Sequence, residues 1–207
     1  MRAIFCFALS VCSYSTAIAQ SPDQKVTKEE LAAMAMTPEQ ISKTTSIEGS
    51  GSLDPALWIS TRPFLRRDDR NDRFFRARID KATGETVYQL YMRTATDSRA
   101  SLSRVTYLVD GKLRQAKINR ISYDVSCGRY SCIHYQDALA ELPRADLQAI
   151  AAQSSSTDNT WQMRFFADTV QGVDAYMLRS EVAGFLIAVD RQLAALGFDQ
   201  PKVETKF

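Results

Sequence analysis

Histidine is nearly absent from this chain: His134 is the only one among 207 residues. Any Ser-His-Asp or Cys-His arrangement would have to be built on it, and no Gly-x-Ser-x-Gly pattern offers a nucleophile, which argues against histidine-based hydrolysis. A dominant charge is missing too. With 26 Lys and Arg against 24 Asp and Glu, the formal net charge is only +2, whereas binding to nucleic acid or to anionic membrane shows as a strong positive balance or a basic stripe. Neither of those partners is expected. Long apolar runs are lacking: the longest, near the start, is far short of the ~18 to 20 residues that span a bilayer, so no membrane span is expected. Cysteine is scarce, with four in all, which excludes a dense disulfide framework. What remains is ordinary apolar content, 45% of residues, enough for one sizeable core built without metal or cofactor.

The first residues read as an export signal. Arg2 is followed by the apolar run Ala3–Val11, and Ala17-Ile18-Ala19 is a small-x-small cleavage site, so residues 1–19 form a signal peptide and the mature chain starts at Gln20. A lipoprotein alternative would use Cys12, but Val11 stands where a small residue is required. The destination is the periplasm or the extracellular space. Cys6 and Cys12 leave with the leader.

Residues 20–52 read as a helical and flexible N-terminal extension. Thr27 and Glu30 have capping-box spacing before Leu31–Met36, Thr37-Pro38 can open a second turn, and the Ser- and Gly-rich stretch over 42–52 has linker composition. A single globular domain is expected over 53–198, with a tail at 199–207. From Trp58 to Ala140, apolar and polar residues alternate between turn signals, the mark of antiparallel strands. One hairpin sets Phe75, Ala77 and Ile79 against Leu90, Tyr88 and Thr86, with Arg76, Arg78 and Gln89 on its other face. A second turns at Asp110-Gly111, and its downstream strand changes phase twice between Leu113 and Val125, which predicts a bulge or bend. Pro143 opens a short helix carrying Leu147, Ile150 and Ala151, and Trp161, Met163 and Phe165 mark one more strand. In the last helix Ser180 is the expected cap, Val182, Phe185, Leu186, Val189, Leu193 and Leu196 the apolar stripe, and Gly197 the stop. The fold class is α+β: an antiparallel sheet of hairpins packed against a C-terminal helix in two layers.

Cys127 and Cys132 flank a four-residue turn in an exported chain, which predicts a disulfide and sets Val125 opposite His134 and Tyr123 opposite Gln136. The same two cysteines with His134 would make three ligands for a soft metal. No further Cys or His closes such a site, so no metal is expected. Carboxylates at Asp68, Asp69, Asp72, Asp80, Asp137 and Glu141 raise the alternative of a carboxylate-dependent periplasmic hydrolase. Arginines interleaved with Asp68, Asp69 and Asp72 instead predict a solvated, self-neutralising loop. The same arginines, with no turn glycine and no closing glutamate, also exclude a calcium loop at Asp69-x-Asn71. No catalytic residue is assigned. Arg76, Arg78 and Tyr91 on one hairpin face are the expected binding residues for a protein partner or an anionic small ligand.

The run Phe75–Glu85, the Cys127/Cys132 pair and Ser180-Glu181-Val182-Ala183-Gly184 together resemble exported bacterial proteins of unassigned function. That resemblance implies export and a single domain. It carries no activity and no site.

Overall fold

The computed structural model describes residues 27–65, 72–97, 99, 101–153, 159–167 and 172–198. The predicted signal peptide and tail, together with Asp68, Asp69, Asn71 and Arg70, lie outside the described residues.

Alternation yields strands throughout the middle of the chain. Nine of them, β1 (Ser46–Glu48), β2 (Ala56–Ser60), β3 (Asp72–Asp80), β4 (Thr86–Thr96), β5 (Leu102–Val109), β6 (Lys112–Cys127), β7 (Cys132–Glu141), β8 (Thr160–Ala167) and β9 (Val173–Leu178), form one sheet. Its order is β1-β2-β3-β4-β7-β6-β5-β8-β9, and every pairing is antiparallel. Twist accumulated over nine strands curls the sheet into a half-barrel. Its apolar face is continuous, running from Ile59 and Phe75 through Leu90, Ala138 and Val105 to Trp161 and Met177.

The C-terminal helix α4 (Arg179–Ala195) packs on that face. Phe185 stacks on Phe75 at 5.4 Å and meets Tyr88 edge-on at 6.2 Å, while Val182, Val189 and Leu193 are fully buried beside it. Gly197, at φ 86°, ends the helix, and Phe198 N–H returns to Leu193 C=O at 2.9 Å, the bond pattern of a left-handed C-terminal cap. Ser180 is not the cap. Helix α4 begins one residue before it, and Asn159 closes the N-terminus from outside: its C=O accepts from Arg179 N–H and its Oδ1 from Ser180 N–H. Helix α3 (Arg144–Ala152) follows Pro143 and buries Leu147 and Ile150.

The hairpin registers agree with the alternation. Phe75, Ala77 and Ile79 stand opposite Leu90, Tyr88 and Thr86. Asp110 and Gly111 take φ of 49° and 71°, the two positive values that a tight hairpin turn of this kind needs. In β6 the register shifts between Arg120 and Ser122, so Ile121 is the extra residue of a bulge. Two elements depart from the reading. The stretch with linker composition contributes β1, which pairs with β2, and is preceded by α2 (Pro38–Ser42), whose Ile41 is fully buried against α4. Pairing and burial at two points override the flexibility its composition suggested. Strand β9 was not anticipated at all. Helix α1 (Lys28–Met34) starts with the Thr27/Glu30 capping box, and α2 repeats the device with Thr37 and Gln40.

Candidate functional site

The face of the sheet turned away from α4 carries the predicted binding residues. Alternation in β3 sends Phe74, Arg76 and Arg78 there, and β2, β4 and β7 add Trp58, Gln89, Tyr91, Arg93 and Asp137 by register. Arg76 pairs with Ser60 on one side and Gln89 on the other; Arg78 pairs with Trp58 and Val87. Phe74 stands opposite Tyr91, their rings stacked at 4.5 Å. Trp58 and Phe74, which the sequence reading did not single out, therefore belong to the same surface. Their signal was available, since Trp58 alternates with buried Leu57 and Ile59, and Phe74 with buried Phe75.

Charge on this face is unevenly compensated. Asp137 gathers Tyr91, whose phenol is pushed up to about 12 by burial first and by the hydrogen bond to Asp137 second. It also accepts from the Ser122 hydroxyl at 2.7 Å and lies 3.8 Å from Arg93 Nε. Arg93 further covers the Tyr135 ring at 5.3 Å. Arg76 and Arg78 have no carboxylate within ion-pair distance among the described residues. Arg76 sits over the Trp58 indole, Cζ 4.0 Å from the ring centre, with its Nε buried and without a hydrogen-bond partner. Stacking holds the guanidinium plane in place and leaves its outer N–H groups for an acceptor.

The remaining candidates have local structural duties. Asp80 accepts from Ala82 N–H, Thr83 N–H and the Thr83 hydroxyl, and these bonds hold its carboxyl below the usual carboxylate range. Asp72 is paired in register with Arg93. Cys127 and Cys132 form the disulfide, facing each other at the end of the β6–β7 hairpin with Cα atoms 4.0 Å apart. Val125 and Tyr123 stand opposite His134 and Gln136, and the Tyr123 hydroxyl hydrogen-bonds His134 Nδ1. Among the described residues no group of three or more His, Cys, Asp or Glu is arranged to hold a metal ion, and no helix is long and apolar enough to cross a membrane.

One carboxyl has a strongly raised pKa. Glu181, in the first turn of α4, is only 1% exposed, and burial pushes its carboxyl up to about 8 against the opposing pull of the Thr61 hydroxyl and Arg73. Thr61 donates to Glu181 Oε1 at 2.7 Å and accepts from Phe75 N–H at 3.0 Å, which fixes the group within the core. Sealed from solvent, it has the pKa of a general acid but not the access. No family model matches the chain, nor does any curated protein or solved structure.

Proposed function

We propose that this chain is an exported binding protein, acting in the periplasm or beyond, that recognises an acidic protein partner or an anionic small ligand through the polar face of β2, β3, β4 and β7. The observation that carries this reading is the pair Arg76 and Arg78. Both are half-buried, Arg76 over Trp58 and Arg78 opposite it in register, and neither forms an ion pair among the described residues, on a face where the neighbouring Arg93 is paired with Asp137. Desolvated guanidinium groups stacked on aromatic rings give binding energy through directed hydrogen bonds and apolar area together. Tyr91, stacked on Phe74 and tied to Asp137, is the third contact. Export is supported by residues 1–19 and by the disulfide, which persists in oxidising compartments.

Trp58 makes the test direct, because the other tryptophan, Trp161, is 1% exposed within the core. Titrating the protein with a glutamate-rich peptide and, separately, with inorganic phosphate should change tryptophan emission saturably for at least one probe, and should not do so in the Trp58→Phe variant. Arg76→Ser with Arg78→Ser should weaken that binding about tenfold or more, the loss typical of truncated arginine anchors, and should lower capture of partners from envelope extract. The pair lies opposite the core-facing Phe75, Ala77 and Ile79, so circular dichroism should show an intact fold. A folded double variant that binds and captures like the wild type excludes this face.

A further inference from the structure

Strand β6 changes neighbour part-way along its length. Lys112–Lys117 pair with β5 and, apart from the bulge at Ile121, Ile118–Cys127 pair with β7, so upstream of Ile118 the edge that β7 would occupy is open among the described residues. A cleft of about 530 Å³ fills the wedge between the two halves of the sheet and is lined by Tyr107, Arg114, Gln115, Lys117, Glu141 and Asp146.

The hairpin turn sets the direction of the main chain there. A two-residue turn at Asp110-Gly111 makes Val109 and Lys112 a hydrogen-bonded pair, and alternation extends this to Tyr107 with Arg114 and Val105 with Ala116. Gln115 therefore turns its main-chain N–H and C=O away from β5 and into the cleft. Among the described residues no strand other than β5 is registered with it. Side chains add charges of both signs. Asp146 accepts from the Tyr107 hydroxyl at 2.9 Å and lies 4.0 Å from Arg114 Nε, forming a fixed floor. Glu141 and Lys117 have no ion-pair partner among the described residues.

We propose that this cleft binds a short peptide with free termini, laid as an added strand along β6. Its main chain pairs with Gln115, its ammonium meets Glu141 where β7 ends, and its carboxylate meets Arg114 further along β6. A simple anion would face Glu141 and a simple cation would face Lys117 and Arg114. A peptide carries both charges and also supplies main-chain donors and acceptors for the open edge. The site uses none of Arg76, Arg78 or Tyr91 and stands whether or not the polar face binds a partner.

The test is titration of the ¹⁵N-labelled full mature chain with trialanine, with N-acetyl-trialanine amide and free alanine as comparison probes. Trialanine should shift the Gln115 and Lys117 amides saturably. The doubly blocked peptide, and trialanine with the Glu141→Gln variant, should each bind about tenfold more weakly, the loss expected for one charged partner. Gln115→Pro removes a donor from the cleft and none from the β5–β6 ladder, so the variant should fold and lose trialanine binding. Absent shifts, free alanine binding as tightly as trialanine, or a folded Gln115→Pro variant binding unchanged would each overturn the proposal. If that variant does not fold, hydrogen exchange of the wild-type Gln115 amide decides: slowing on saturation with trialanine supports strand pairing, and an unchanged rate overturns it.

Discussion

Glu181→Gln should make the protein more stable above neutral pH while leaving it unchanged in mild acid. The buried carboxyl has a folded pKa of about 8, against an ordinary value of 4.5 in the unfolded chain. Between those values the folded state keeps a proton that the unfolded state has released, so the unfolded state binds fewer protons and stability falls as pH rises. At 1.36 kcal/mol per pH unit, the interval amounts to about 5 kcal/mol lost between pH 4.5 and 8 and nothing further above it. That is a large part of the ~5 to 15 kcal/mol that holds an ordinary domain together. Glutamine fits the same space, keeps an oxygen to accept from the Thr61 hydroxyl, and never ionises. Urea unfolding of both proteins at pH 4.5, 6.5 and 8.5 should therefore give nearly equal free energies at the lowest pH and a gap that widens to several kcal/mol at the highest. A gap independent of pH, or a wild type that gains on the variant as pH rises, would refute the assignment of Glu181 as a neutral buried acid.

Three further outcomes follow from packing and caps. Gly184→Ala should destabilise by about 1 to 3 kcal/mol in thermal melts, because the new methyl would lie 2.7 Å from both the Ile41 side chain and the Pro38 carbonyl oxygen, a cost exceeding the roughly 1 kcal/mol gained in helix propensity. Replacing Cys127 and Cys132 by Ser should lower unfolding free energy by about 2 kcal/mol, since the closed loop is short, and unfolding of the wild type with and without reductant should show the same difference. Asn159→Ala should cost about 1 kcal/mol, the usual loss of a helix cap, and should speed amide exchange at Ser180, whose N–H bonds its side chain at 2.8 Å.

Features set by local pattern were legible in the sequence. Phe75, Ala77 and Ile79 alternate cleanly with arginines, so one register buries all three; Asp110-Gly111 suits positive φ; the phase change past Ile118 is the bulge at Ile121. Features set by distant pairing were not. Nothing near Ser46–Glu48 marks a strand, because its pairing comes entirely from β2 and all three residues are exposed. Strand β9 does alternate, with Ala175 and Met177 buried between Asp174 and Tyr176, but it runs into α4 without a turn residue to separate strand from helix. Ser180 has a capping side chain in the wrong place: Asn159, across the sheet connection, takes that role and leaves Ser180 buried.

The same division applies to the polar face, and it decides what the arginines can do. That Arg76, Arg78 and Tyr91 share a side follows from strand period alone. Which arginines have a counter-charge does not, because it depends on β7 lying beside β4, a neighbour relation formed across the whole of β5 and β6. Had the sheet followed chain order, β5 would flank β4, and both β5 and β6 would stand between Arg93 and Asp137. As built, Asp137 lies directly opposite Arg93 and bonds Tyr91, while Arg76 and Arg78 form no ion pair among the described residues. The order that places Asp137 there also carries β6 from β7 to β5 and opens the cleft at Gln115. Both proposed sites are therefore products of one topological choice. A circular permutant that keeps this strand order should retain them, whereas any rearrangement separating β4 from β7 would remove the Asp137–Arg93 pairing even with every side chain present.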